Sequence, residues 1–153
     1  MTYSLLDWSL EILRETFEGE RPGAGGTLFL DKTGGIRQTL SELTPEQASA
    51  RFDQHPSIAA HVRHMAFHLC AVAEWIEGDR RSRDWPGSFE PQTVNASEWK
   101  AVQAELEMAR QRFEAVLRGL TPEQLVENGA GMGALAHLAY HLGAIRQLVH
   151  RVR

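Results

Sequence analysis

Five of the seven histidines in this chain fall in two short windows, HVRHMAFHL at 61–69 and HLAYHLGAIRQL at 137–148. His61, His64 and His68 follow one another at three- and four-residue steps, and His137 and His141 are four apart. On a helix of 3.6 residues per turn those steps stack the rings on one face. Neutral imidazole is a good ligand for zinc, nickel, iron or copper, and a one-turn pair lets both ring nitrogens reach one ion. A catalytic site asks for three protein ligands and an open position. His137 and His141 supply two, and a histidine of the first window supplies the third, with His64 the central choice. His61 and His68 then orient the ligands or relay protons, or one of them takes the place of His64. The expected cofactor is a divalent metal ion.

Both windows lie in stretches with a helical period. Ile58, Val62, Met65, Leu69, Val72 and Ile76 form one apolar stripe and predict a helix over 57–77. The three histidines flank that stripe. Leu135, Leu138, Leu142, Ile145 and Val149 predict a last helix over 134–150, with His137 and His141 on the matching flank. Two further helices are expected at 3–18 and at 97–118, the latter led by Trp99, Val102, Leu106 and Phe113. The pentapeptide LTPEQ occurs at 43–47 and again at 120–124. It is a capping-box start with proline at the first helical position, and the first copy predicts only a short helix before Pro56. Residues 27–40 have no clean period, Gly34-Gly35 argues for a turn, and only 27–31 resembles a strand. The glycines at 23–26 and 129–133 read as helix punctuation.

Four amphipathic helices in 153 residues imply one all-α domain spanning 1–153, a four-helix bundle. The first connection, 19–56, is long enough to cross the whole bundle. Hydrophobic content of 42% and charged content of 24% are ordinary for a globular protein. The net charge is -4, and the only basic runs are Arg80, Arg81 and Arg83, and Arg151 and Arg153. No nucleic-acid partner is expected. The opening segment MTYSLLDWSLEILRE carries acids among its apolar residues and has no basic start. It predicts neither a signal peptide nor a membrane span, so no membrane partner is expected and cytoplasmic residence is the default. The single cysteine, Cys70, reads as a small mid-helix apolar residue.

Other chemistries lack their signatures. There is no HExxH, no glutamate three residues before a histidine, no P-loop and no GxGxxG. The loop DWPGSF at 84–89 reads first as a turn anchored by Trp85, with Asp84 as the alternative candidate to orient a ligand histidine or act as a base.

Three segments, SIAAHVRHMAFHL (57–69), DWPGSF (84–89) and GALAHLAYHLGAIRQ (133–147), give the chain a resemblance to the DinB/YfiT-like superfamily. The resemblance implies a four-helix bundle with a long crossover, usually a homodimer. It also implies a nickel or zinc ion held by His64, His137 and His141. Members include thiol-dependent transferases, so a small thiol substrate follows from the resemblance alone. A hydrolase is equally compatible with the residues. The competing expectation is a non-catalytic bundle, a structural or ligand-binding dimer in which the histidines serve packing.

Overall fold

A computed structural model describes residues 2–31 and 34–153, for Ala130 without its side chain. Lys32 and Thr33, within the stretch read as lacking a helical period, lie outside the described residues. The fold is all-helical. Among the described residues four long helices carry it: α1 (Leu5–Glu18), α4 (Ile58–Ile76), α5 (Ala96–Arg118) and α7 (Gly129–Val152). Three short ones, α2 (Ile36–Ser41), α3 (Pro45–Ser49) and α6 (Pro122–Glu127), lie in the connections. A 3-10 turn at Gly87–Phe89 follows α4. No described helix is long and apolar enough to cross a membrane.

The starts are chemically marked. Capping boxes close Ser4 with Asp7, Thr44 with Gln47, Asn95 with Glu98 and Thr121 with Gln124. Each satisfies two backbone N–H groups that a helix end leaves without a partner. Both LTPEQ copies therefore begin short helices. Ser57 caps α4 by accepting the Ala60 N–H, and its hydroxyl donates to the Gln92 carbonyl at 2.5 Å, which ties the start of α4 to the segment before α5.

α4 packs on α5 and α7, and α1 packs on α7 and α5. α1 and α4 thus occupy opposite corners of the bundle, which is why the chain between them must be long. That crossover returns past the end of α1. Gly19 has a φ of +81°, and a Cβ on Gly35 would lie 2.5 Å from the Phe17 carbonyl carbon. Only glycine permits both the left-handed turn and that backbone approach. The core is one cluster drawn from all four long helices, with Phe17, Ile58, Met65, Leu69, Phe113 and Leu138 among its fully buried side chains.

Three expectations change. Residues 27–31 form no strand: the N–H groups of Leu28, Phe29 and Leu30 all donate to the Glu15 carboxylate, so a side chain replaces a neighbouring strand. Residues 36–41, within the stretch without a clean helical period, are helical, because Ile36 and Leu40 one turn apart are both buried. α7 starts at Gly129, so the GAGMG segment is its first turn and not a break before it. A Cβ on Gly131 would come 3.2 Å from Leu117 Cδ2. Close packing of α7 on the end of α5 favours glycine there and overrides its low helix propensity.

Candidate metal centre

The histidine faces of α4 and α7 meet. His61 pairs with His141, Nδ1 to Nδ1 at 2.8 Å, and His64 pairs with His137, Nε2 to Nε2 at 2.9 Å. His68 stacks on His137 with centroids 3.7 Å apart and planes 17° from parallel. Contacts climb α4 as they descend α7, so the two helices are antiparallel. His64, His137 and His141 offer ligand nitrogens all within 4.8 Å of one another. His61, His64 and His141 are buried, and His68 and His137 are half-buried.

The loop after α4 completes the surroundings. The Ser88 hydroxyl donates to the Trp85 carbonyl at 2.5 Å and lies 2.7 Å from His64 Nδ1. With its own proton spent on Trp85, Ser88 accepts from His64, which puts the His64 proton on Nδ1 and leaves a lone pair on Nε2. That lone pair faces His137. Phe89 stacks on the other side of the His64 ring at 3.9 Å, fixing its plane. Asp84 accepts the Gly87 N–H at 3.0 Å and so shapes the turn. A Cβ on Gly87 would lie 2.2 Å from the Asp84 carboxylate, so the turn requires glycine. Sequence analysis picks out this loop for Asp84 and Trp85, whereas Ser88 and Phe89 make its closest contacts with His64. Nothing in the helical periodicity signals those two, because a loop residue's reach depends on the turn.

Burial strips water from the cluster and holds the rings neutral. It lowers the pKa of His61 and His64 to about 4, and of His68 and His141 to about 3. Like-charged neighbours add to this at each of the four. His137 is lowered too, by burial. Neutral imidazole is the form that ligates.

The donor set suits a divalent ion. Three neutral ring nitrogens within 4.8 Å of one another match the donor type and number that a zinc or nickel site would take from a protein. Two helices, packed through the core, supply the three nitrogens. His61 would then receive the His141 Nδ1 proton, much as Ser88 receives that of His64.

Two clefts open beside the cluster. One, of about 550 Å³, is lined by His61, His64, His141, Phe89 and Tyr140 among others. The second, of about 670 Å³, runs from His68 and His137 to Trp75, Trp85 and the arginines after α4. His137 borders both. The family model of the DinB superfamily matches residues 34–145, which include every one of the five clustered histidines. No curated protein and no solved structure matches the chain.

Proposed function

We propose that this chain, which belongs to the DinB superfamily, is a metal-dependent enzyme that transfers a group between two small molecules, one of them a thiol. The observation that carries this reading is the three-histidine cluster with a cleft on either side of His137. A hydrolase needs room for one substrate and water, whereas two clefts at one centre suit two reactants. Clefts of 300–1,000 Å³ are the usual size for small ligands.

His64, His137 and His141 would hold the ion, and imidazole donors suit zinc or nickel. A bound divalent ion supplies Lewis acidity, which brings the pKa of a thiol or a water toward neutrality. The remaining work belongs to the chain. Ser88 keeps the His64 proton on Nδ1, and His61 does the corresponding service for His141. Phe89 shields the His64 face from water. The half-buried His68 lies flat on His137 and stiffens the ring that borders both clefts. The same proposal takes the working unit to be a homodimer, supported by Tyr3, Leu5 and Trp8, which leave a patch of large apolar surface exposed around the start of α1.

The test is bound metal, measured by mass spectrometry on protein purified without a histidine tag. About one zinc or nickel per chain is expected in the wild type, and none in His64→Ala, His137→Ala or His141→Ala. The loaded protein should then conjugate a small thiol to electrophilic substrates in a screen, and the variants should not. A wild type that takes up neither zinc nor nickel would return the histidines to a packing role.

A further inference from the structure

The second cleft has a composition that the transfer reading does not explain. Its walls hold two large indoles left open to solvent, Trp75 at 45% and Trp85 at 42% exposure. Its α7 side is Gly133 and Ala134, and a Cβ on Gly133 would meet nothing within 4 Å. There is therefore apolar room between the indoles and α7. One end of this room is His68 and His137. The other end is basic, with Arg80, Arg81 and Arg83 against the carboxylates of Glu74 and Asp79.

Those arginines differ. Arg83 binds Glu74 at 2.9 Å, and Arg81 binds Asp79 at 2.7 Å. Arg83 is spent on holding the loop to α4, and Arg81 on a pair within the loop and, at 3.7 Å, on Glu74 of α4. Among the described residues, Arg80 has no carboxylate partner. Its guanidinium lies over the Trp75 ring, 4.1 Å from the centroid, and also donates to the Trp75 carbonyl. Stacking on an indole fixes a guanidinium in place and leaves its remaining N–H groups and its charge for another anion.

We propose that this cleft is the acceptor-substrate subsite, and that it takes an amphipathic anion. The ligand has a planar apolar body between Trp85 and the Gly133 face and a carboxylate-type head on Arg80, so that its far end reaches His137. This rests on the reading of the histidine cluster as a reaction centre. The binding preference itself requires only the cleft.

Isothermal titration calorimetry with 2-naphthoate and its neutral analogue 2-naphthamide tests it. The acid and the amide share the same body and differ in charge. The wild type should bind the acid about tenfold more tightly than the amide. Arg80→Ala should bring the acid down to the amide's affinity and leave the amide unchanged, and Arg80→Lys should restore part of the preference. Gly133→Leu should abolish both, with helicity by circular dichroism unchanged, since the side chain enters open space and leucine is a better helix former than glycine. His141 does not line this cleft. His141→Ala, checked for metal content, should therefore keep the preference. Equal binding of acid and amide, an Arg80→Ala variant that still prefers the acid, or binding that survives Gly133→Leu would each overturn the proposal. So would a preference lost in His141→Ala, which would put the carboxylate on the metal. Metal content of the same samples judges the other reading separately. Selectivity without bound metal keeps the subsite and removes the metal enzyme, and bound metal without selectivity does the reverse.

Discussion

At the scale of single residues, the site depends on where protons are held. A histidine ligates through a nitrogen lone pair, and a partner on the other nitrogen decides which one is free. Ser88 does this for His64, because its own hydroxyl proton is committed to the Trp85 carbonyl. Ser88→Ala removes that acceptor while every ligand remains. Loss of such an orienting partner typically weakens metal binding 10- to 100-fold. We expect a drop of about that size in zinc affinity, measured by competition with a chromophoric chelator, with helicity unchanged. Ser88→Thr, which keeps the hydroxyl, should stay near wild type. An alanine variant within twofold of wild type would separate Ser88 from the metal centre.

At the scale of elements, the bundle requires a long strap between opposite corners, and the strap is held by a buried charge. Glu15 on α1 is 2% exposed and accepts the N–H groups of Leu28, Phe29 and Leu30 at 2.7, 2.9 and 2.9 Å. Burial acts to raise its pKa, but the three backbone donors outweigh it and hold the carboxylate below its ordinary range. Glu15→Ala leaves three donors without their acceptor, at a cost of about 2–4 kcal/mol. For a chain of this size the melting temperature should fall by roughly 5–12 °C. Metal stoichiometry should hold, because Leu28, Phe29 and Leu30 line neither cleft beside the histidines. A shift below about 1 °C would show that the strap adds no stability. This contact also marks the limit of what sequence reading reaches. The four long helices were legible because each carries an apolar stripe, and the histidines because they share flanks of two stripes. The Glu15 clasp, the short helix α2 and the helical GAGMG segment were not, since each depends on partners distant in sequence. Arg146, for example, reaches the Gly34 carbonyl at 2.7 Å across the bundle. The site divided in the same way. Its ligand candidates lie on helices and could be read from spacing, whereas Ser88 and Phe89 reach it through a turn whose path no periodicity describes.

At the scale of the whole molecule, clustering five neutral histidines between α4 and α7, three of them buried, couples folding to both protons and metal. An unfolded histidine titrates near pH 6.5, whereas His61 and His64 in the fold titrate near 4, and His68 and His141 near 3. Between those values the unfolded chain binds more protons than the folded one, so stability rises with pH. The histidines' contribution is therefore complete above about pH 6.5 and is lost progressively as pH falls toward 4 and 3. A divalent ion binds the same neutral rings and only in the folded arrangement. Free metal at 100 times its dissociation constant adds about 2.7 kcal/mol. That corresponds to roughly 5–10 °C in melting temperature for a domain of this length. Protons compete with the metal only where the folded rings take them up, so the metal's increment should hold near its full size from pH 7.5 to about 5 and shrink as pH falls toward 4. Thermal melts with zinc or with a chelator from pH 7.5 down to pH 4, on wild type and His64→Ala, measure both effects together. The wild-type increment should hold to about pH 5 and decline below it, and the variant should show none at any pH. A zinc increment that is undiminished at pH 4, or equal in the variant, would place the stabilising ion away from the histidines.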